Sequence, residues 1–233
     1  MSDTIRHAVI LAAGRGLRMM PLTADRPKAM APFGGTTLIA RGIDEVGRQI
    51  ENVHVTVGYR AAMLAEHVIH HGARSVINTD GRSNSWWIYH SLLSRLDEPV
   101  FVLTCDNVLE LDFTRLADDY FARGEPACML VPVRPLPGLE GDYIFTDGDV
   151  VERLSRTDRS EVYCSGVQVL NPARVQELAP GADDGFEAVW ERLIGRRQLY
   201  ASRVYPKRWI TADTPAQLQA ATDAAALTEE RPR

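Results

Sequence analysis

The feature that most constrains this chain is a glycine-containing loop after an apolar segment near the N-terminus. The apolar segment is His7–Leu11, and Gly14 and Gly16 follow it closely. Because glycine has no Cβ, its backbone N–H groups can approach a ligand, and successive N–H groups of this kind form a concavity that binds anions. Three basic residues accompany the loop: Arg15, Arg18 and Lys28. The sequence therefore predicts a strand followed by a loop that binds a polyphosphate.

The loop does not follow two widespread nucleotide-binding patterns. The third glycine of the dinucleotide-binding fingerprint is missing after Gly16, and no Gly-Lys-Ser/Thr follows. From Leu11 the chain reads Leu-Ala-Ala-Gly-x-Gly-x-Arg-Met-x-Pro-Leu-Thr, with Pro27-Lys28 a few residues later. This pattern resembles the signature of the nucleotidyltransferases that make sugar nucleotides and related activated head groups. The resemblance covers residues 8–33.

Strand-like and helical segments alternate through the first half of the chain. Strands are predicted at 7–11, 53–57, 75–78 and 100–104, and helices at 38–48, 61–71 and 87–96. This alternation predicts an α/β fold with a largely parallel sheet. The resemblance implies a Rossmann-like three-layer sandwich with a mostly parallel, mixed central sheet. The second half adds short strands at 127–133, 143–146, 150–154 and 163–170, a turn at 135–138, and helices at 173–178, 185–194 and 214–225.

Length, charge and cysteine content narrow the class of protein. The 233 residues predict one domain, residues 1–226, followed by a charged tail, 227–233. The net charge of −5 does not suggest binding to nucleic acid, which normally requires a basic face. Three widely spaced cysteines predict reduced thiols without a metal site. Without a secretory signal or an apolar run near 18 residues, we expect a cytoplasmic monomer or homodimer that does not bind membranes.

A carboxylate follows the fourth predicted strand. In an open α/β sheet the ligand lies at the carboxyl ends of the strands, so the loops after Leu11, Asn78 and Thr104 should share one rim. Asp106 stands at that rim, and Mg²⁺ prefers carboxylate and phosphate oxygens. Asp106 is therefore the leading candidate for a Mg²⁺ ligand, and the resemblance implies the same role. The alternative is a turn cap, whereas Asp112 is predicted to be an N-cap.

A second metal-binding acid is implied by the resemblance near the C-terminus, in a Trp-x-Asp-x-Gly-Thr-Pro context. Here the chain reads Trp209-Ile210-Thr211-Ala212-Asp213-Thr214-Pro215. Thr211 therefore stands at the acid's position and Asp213 at the glycine's. Either Asp213 replaces the missing acid, or water completes the metal shell. The alternative for Asp213 is the N-cap of the helix that begins at Thr214-Pro215.

The resemblance implies the reaction NTP + R-phosphate → NDP-R + pyrophosphate. Such chemistry depends on positioning and charge neutralisation and needs no covalent intermediate. The predicted catalytic residues are Lys28, beside Mg²⁺ at the α-phosphate, and Arg18, on the departing pyrophosphate. The residues predicted to bind the nucleotide are Leu11, Ala12, Ala13, Gly14, Arg15, Gly16, Asn78 and Asp80.

The segment that is informative about the acceptor is Asn84-x-Trp86-Trp87-x-x-x-Ser-Leu. It resembles the branch of choline-phosphate, phosphonate and polyol-phosphate cytidylyltransferases, which implies CTP and a small phosphorylated or phosphonylated acceptor. An aromatic wall with Asp142 would favour a cationic amine, although Trp87 is equally compatible with the core. Tyr163–Val167 resembles the family's Ser-Gly element, for which the alternative is a strand bulge. The predicted acceptor-binding residues are Asn84, Trp86, Tyr89, Tyr143, Ser165 and Gly166.

Two other functions stay open at this point. One is a hexose-1-phosphate nucleotidyltransferase that uses UTP, dTTP or GTP. The other is a catalytically silent nucleotide-binding regulatory domain, which only Thr211 favours.

Overall fold

The computed structural model describes residues 4–136 and 141–229, with side chains as far as residue 225 of the last helix. The predicted turn at 135–138 and the end of the predicted tail therefore lie partly outside the described residues. The strands are β1 His7–Leu11, β2 Pro32–Phe33, β3 Thr36–Thr37, β4 Asn52–Val57, β5 Ser75–Asn78, β6 Val100–Thr104, β7 Asn107–Glu110, β8 Cys128–Val133, β9 Tyr143–Asp147, β10 Val150–Ser155, β11 Tyr163–Leu170, β12 Leu199–Ala201 and β13 Arg208–Thr211. The α-helices are α1 Leu38–Gly47, α2 Ala61–His70, α3 Trp86–His90, α4 Phe113–Ala122, α5 Pro172–Leu178, α6 Phe186–Gly195 and α7 Pro215–Glu229.

Within the described residues, nine strands form one mixed sheet in the order β5-β4-β1-β6-β11-β8-β12-β10-β9. The first four strands are parallel, with His7 opposite both Asn52 and Val100. Beyond β6 the pairing becomes antiparallel, apart from β12, which runs parallel to β8. The predicted α/β fold with a mixed sheet is therefore confirmed, and most of its parallel pairing lies in the first half of the chain.

Both faces of the sheet carry a hydrophobic layer. On one face Ile39, Leu64 and Leu116 of α1, α2 and α4 pack on the strands. On the other face Trp87 and Val189 of α3 and α6 do so. Since strands covered on both faces have little contact with water, their sequences are nearly continuous apolar runs, as in Val100–Leu103. The outcome is the predicted three-layer arrangement.

A small second sheet joins β7 to β13, and the sequence did not indicate either strand. Each has only four residues, and the two lie about a hundred residues apart in the chain, so no local turn signal connects them. Thr211 pairs with Asn107, and the amide of Ala212 donates to the carbonyl oxygen of Asp106 at 2.9 Å. This sheet brings the segment around residue 213 to the end of β6.

Helix ends follow the predicted capping in places and differ in others. Asp112 caps α4, because its Oδ1 accepts from the amide of Arg115. The helix predicted at 87–96 stops at His90, since Ser91 is extended, and a short 3₁₀ turn follows at Leu92–Arg95. Helix α7 continues to Glu229, into the predicted tail. No helix in the described ranges combines the length and the apolar character that a membrane crossing requires.

Candidate functional site

Two cavities meet at the carboxyl ends of the parallel strands. We refer to the one along the glycine loop as the loop cavity, with a volume of about 430 Å³. We refer to the one between β6, β11 and β13 as the aromatic cavity, with about 340 Å³. Residues lining both are Arg18, Thr104, Asp106 and Asp213. The predicted convergence of the loops after β1, β5 and β6 is therefore observed, and volumes of this size suit small-molecule ligands.

The two loop glycines have different functions. Gly16 has φ +73°, and a Cβ there would lie 2.5 Å from Cβ of Lys28. Only glycine therefore lets the loop pass this close to Lys28. Gly14 lines the loop cavity, and a Cβ there would meet no atom within 4 Å. Its missing side chain leaves open space on the cavity side, where a ligand can approach the backbone.

Hydrogen bonds hold the backbone before the loop glycines. The amide of Ala12 donates to Oγ1 of Thr56 at 3.0 Å, and the carbonyl of Ala13 accepts from Tyr59 at 3.0 Å. Leu11 and Ala13 line the loop cavity, whereas Ala12 is buried beneath it. The guanidinium of Arg15 lies 5.0 Å from the ring centroid of Tyr59 and does not line either cavity. The structure thus brings Leu11 and Ala13 to the site but not Ala12 or Arg15.

Lys28 joins two carboxylates where the cavities meet. Its Nζ lies 2.5 Å from Oδ2 of Asp106 and 2.7 Å from Oδ1 of Asp213, and Arg18 pairs with the same Asp213 oxygen at 2.8 Å. Burial alone lowers the pKa of Lys28, but the two carboxylates outweigh it and raise that pKa. Burial alone raises the pKa of Asp106, but Lys28 outweighs it and lowers that pKa. Both groups are therefore charged at neutral pH.

Asp213 is not the cap of the last helix, so that alternative is wrong. Oγ1 of Thr214 accepts from the amide of Gln217, and Oε1 of Gln217 accepts from the amides of Asp213 and Thr214. The Asp213 carboxylate is turned to Lys28 instead. The Asp106 carboxylate likewise accepts a hydrogen bond from the ammonium group of Lys28.

The donor set at this point consists of two carboxylates. No group of three or more His, Cys, Asp or Glu side chains arranged for a metal occurs among residues 4–136 and 141–225. Asp106 and Asp213 lie within hydrogen-bond distance of the same ammonium nitrogen. Two carboxylates complemented by phosphate oxygens are a donor set that suits Mg²⁺, which rarely takes an all-protein shell.

The loop after β5 lines the loop cavity, and of the lining residues the sequence had singled out only Asn84. Oδ1 of Asn78 accepts from the amide of Asp80, which makes an Asx turn, and both residues are exposed outside the cavity. Asn84 faces the loop cavity rather than the aromatic cavity, and its Oδ1 accepts from Phe186 at the start of α6. The residues of this loop that do line the loop cavity are Thr79, Gly81, Arg82, Ser83 and Asn84.

The aromatic wall predicted from residues 86–89 and 143 does not line either cavity. Trp86 stacks on His90, and Trp87 is fully buried in the core, as its alternative predicted. The hydroxyl of Tyr89 donates to the carbonyl of Ala179 at 2.7 Å, and burial raises its pKa to about 12. Tyr143 packs against the edge of Tyr163. The three aromatic residues of α3 face the core or other elements because hydrogen bonds of Ser85 fix the start of α3 to the loop before α6, whereas Tyr143 lies on β9.

Three other aromatic residues line the aromatic cavity: Tyr163, Trp190 and Trp209. Nε1 of Trp209 donates to the carbonyl of Ser165 at 2.9 Å. Tyr163 and Trp209 meet edge to face, with ring centroids 6.3 Å apart. Trp209 belongs to the segment that resembles the family motif, so the sequence contained a feature that could have identified it as a site residue. Nothing in the sequence around Trp190 pointed to the site.

The Ser165-Gly166 element shapes the cavity through its backbone. The Ser165 hydroxyl is turned away and donates to the carbonyl of Val131, while its own carbonyl accepts from Nδ2 of Asn107 at 2.6 Å. Gly166 lines the cavity with φ +82°, and a Cβ there would lie 2.7 Å from Nδ2 of Asn107. The pairing of β11 with β8 shifts register between Cys164 and Gln168, so the bulge is also real.

Known proteins share sequence similarity with this chain. The family model of the MobA-like NTP transferase domain matches residues 8–136. The N-acetylmuramate alpha-1-phosphate uridylyltransferase of Caulobacter vibrioides is 28% identical over 211 residues, covering 83% of this chain and 86% of that protein. The mannose-1-phosphate guanyltransferase of Schizosaccharomyces pombe is 22% identical, covering 83% of this chain and 57% of that protein. The chain thus spans less than two thirds of the length of several curated relatives.

Among solved structures, the inositol-1-phosphate CTP transferase from T. maritima superposes with a TM-score of 0.79. The superposition covers 100% of both chains at 17% sequence identity. At this level of identity the likeness establishes the fold.

Proposed function

The chain belongs to the MobA-like NTP transferase family, and from this premise we propose that it transfers a nucleotidyl group from an NTP to a small phosphorylated or phosphonylated acceptor. Mg²⁺ assists the reaction, pyrophosphate is released, and CTP is the favoured nucleotide. The observation that carries the proposal is the placement of Lys28, Asp106 and Asp213 at the junction of the two cavities. A nucleotide in the loop cavity and an acceptor in the aromatic cavity would meet there.

Each charged group has a task in this reaction. An ionised oxygen of the acceptor attacks the α-phosphorus, and the bond from that phosphorus to the departing pyrophosphate breaks. Because the attacking oxygen already carries charge at neutral pH, no general base is required. Lys28 stays protonated between its carboxylates, and its positive charge would stabilise the negative charge of the α-phosphate. Arg18 and the loop amides bind the pyrophosphate.

Asp106 and Asp213 are the residues that would hold Mg²⁺. When bound, the ion neutralises phosphate charge. Lys28 pairs with both carboxylates; if the two carboxylates held the ion instead, the ammonium group would be free to interact with the phosphate. Asp213 thereby takes the role of the acid that Thr211 replaces in the motif. Only Thr211 favoured a catalytically silent domain, and with Asp213 as the second acid that argument no longer applies.

CTP and a polyol-type or phosphonate acceptor are supported by the resemblance of residues 84–92. The inositol-1-phosphate CTP transferase shares the fold over the whole chain, so this fold accommodates such a pair of substrates. The second candidate is a sugar-1-phosphate nucleotidyltransferase that uses UTP, and the Caulobacter vibrioides relative favours it. Cytoplasmic location and a monomeric or homodimeric state stay predictions of the sequence.

The deciding experiment is a matrix of CTP, UTP, dTTP and GTP against phosphate and phosphonate acceptors, with Mg²⁺, scored by pyrophosphate release. We expect one cell of the matrix to dominate. Asp106→Asn should lower that rate by about 10³-fold, because a carboxylate that would hold Mg²⁺ at the reacting phosphate is lost. Asp118→Asn, on the exposed face of α4, is the matched control. Wild-type protein without pyrophosphate release in any cell would contradict the proposal.

A pair of variants tests which residue near the C-terminus supplies the acid. Asp213→Asn should lower the rate about 10²-fold or more, since it removes a carboxylate from the junction of the cavities. Thr211→Val should change the rate much less, because its hydroxyl lines the aromatic cavity and does not contact Lys28. A larger loss of rate in Thr211→Val than in Asp213→Asn would indicate that position 211 contributes to metal binding.

A further inference from the structure

A second ion pair borders the aromatic cavity away from Lys28. Nε of Arg156, just after β10, donates to Oδ1 of Asp142 at 3.1 Å, and Nη2 of the same guanidinium pairs with Glu187 of α6. Asp142 lines the cavity, together with two other carboxylates, those of Asp106 and Asp213. Those two already face Lys28. Asp142 is therefore the carboxylate available to read the part of the acceptor that does not react.

The same wall presents hydrogen-bonding groups that are not engaged. In the part of the chain that the structure describes, the hydroxyls of Tyr163 and Thr211 and Oδ2 of Asp142 form no hydrogen bond to protein, and all three residues line the aromatic cavity. Burial raises the pKa of Tyr163 to about 12, so its hydroxyl keeps a proton to donate. Gly141 allows this position, because a Cβ there would collide with the Tyr163 hydroxyl. Such groups match a ligand with several hydroxyls.

We propose that the Arg156–Asp142 pair determines the charge of the acceptor: the guanidinium occupies one oxygen of the carboxylate that would hold an ammonium group and leaves the other oxygen to accept from an acceptor hydroxyl. The enzyme then takes hydroxylated phosphates without positive charge and discriminates against amino-alcohol phosphates and aminophosphonates. This inference rests on the proposed function, since it describes the acceptor of that reaction. Asp142 contacts the acceptor, and Arg156 is a positioning residue that acts through Asp142.

The charge balance explains why the aromatic faces alone do not select a cation. A quaternary ammonium group is attracted to an aromatic face by the negative charge of the ring's π system. To enter the cavity it loses hydration, and it would approach a carboxylate that already forms an ion pair with Arg156. A hydroxylated acceptor pairs with Oδ2 of Asp142 and the Tyr163 hydroxyl, which a trimethylammonium group would leave without partners.

The test is direct binding, measured by calorimetry with the full chain. The probes are myo-inositol 1-phosphate, which is hydroxylated and has no positive charge, and choline phosphate, which is cationic. Wild type should bind the inositol phosphate more tightly. Arg156→Gln keeps a polar side chain but removes the charge, and it should shift the ratio of the two dissociation constants about tenfold toward choline phosphate. Asp142→Asn should weaken inositol phosphate binding without improving choline phosphate binding.

Arg153→Gln is the matched control, because Arg153 lies on β10 and pairs with Asp158 outside the cavity. It should leave both dissociation constants unchanged. The double variant Arg156→Gln/Asp142→Asn should abolish the shift toward choline phosphate, which a general loss of structure would not do. Tighter binding of choline phosphate by wild type, an unchanged ratio in Arg156→Gln, or binding of neither probe would overturn the inference. Pyrophosphate release is scored separately, so failure of the proposed reaction is distinguishable from failure of this inference.

Discussion

The parallel half of the sheet and the antiparallel half build their cavities in different ways. Along β5, β4, β1 and β6, the loop cavity is lined by short loops that each follow a strand directly. Around β9, β11 and β13, the aromatic cavity is lined by side chains from segments that are far apart in sequence, such as Asp142, Trp190 and Trp209. The first cavity depends on backbone conformation, and the second depends on which segments pack together.

This difference predicts how substitutions should affect each half of the sheet. A loop whose amides face a ligand needs glycine at fixed positions, so substitution there alters both shape and stability. A cavity built from side chains can change its ligand through one residue while the strands stay in place. The parallel half should therefore tolerate little substitution around the nucleotide, whereas the antiparallel half should respond mainly in the choice of acceptor.

The largest effect is expected at the junction of the two halves. Lys28→Ala leaves Asp106 and Asp213 facing each other without the ammonium group and removes positive charge from the α-phosphate. We expect pyrophosphate release to fall about 10³-fold with every acceptor. Arg26→Ala, two residues earlier and paired on the surface with Asp25, should stay near wild type. A loss confined to one acceptor would contradict a shared junction.

Next in size is a pair of glycine variants in the loop. Gly16→Ala places a Cβ against Lys28 in a left-handed backbone conformation, so it should lower the melting temperature and raise KM for the nucleotide about 10²-fold. Gly14→Ala meets no protein atom, so it should raise KM for the nucleotide while the melting temperature stays the same. Equal melting temperatures for both variants would mean that the contact with Lys28 does not constrain the loop.

At the opposite end of the parallel half, His54 is expected to affect stability and not activity. It is buried against His7, with Nε2 and Nδ1 of the two rings 2.9 Å apart, and burial lowers the pKa of His54 to about 4. The unfolded chain binds the proton more readily, so the contribution of His54 is complete above pH 6.5 and is lost as the pH falls toward 4. We expect the free energy of unfolding to drop by about 2 kcal/mol across this window.

His54→Gln should flatten that dependence in urea unfolding measured from pH 7 to 4. His71→Gln, at the exposed end of α2, should retain it. Equal slopes in wild type and His54→Gln would assign the acid sensitivity to other groups.

The smallest expected effect separates the halves most cleanly. Tyr163→Phe removes one unengaged hydroxyl from the aromatic cavity, so KM for the acceptor should rise about tenfold while KM for the nucleotide stays constant. Tyr143→Phe is the matched control, since Tyr143 packs on Tyr163 but does not line the cavity. An equal rise in both KM values for Tyr163→Phe would mean that the two cavities do not act separately.

The parallel half was predictable from sequence to within a few residues. Strands β1 and β6 begin and end where the apolar runs do, because a strand buried on both faces must be apolar throughout. The family, the fold and the shared rim of the loops after Leu11 and Thr104 followed from the same stretch. The motif alone could not decide between Thr211 and Asp213, because the choice depends on how β13 pairs with β7.

The acceptor side was less predictable for a physical reason. Trp86, Tyr89 and Tyr143 form a plausible wall when read along the chain, but their surroundings are set by the packing of α3 against the loop before α6. Tyr163 and Trp190 reach the cavity because β11 and α6 pack beside it. No periodicity or spacing in the sequence encodes such a meeting of distant segments.

By itself, the sequence determined the glycine-containing loop after β1, the alternating layers and the position of Asp106 just after a buried strand. These features are local, since glycine conformation and apolar periodicity act within a few residues. Only the tertiary structure decided that Asp213 shares Lys28 with Asp106, that Arg156 pairs with Asp142, and which aromatic rings line the cavity. Those contacts join residues that lie 14 to 185 positions apart in the chain. They form only when the strands have taken their places in the folded sheet.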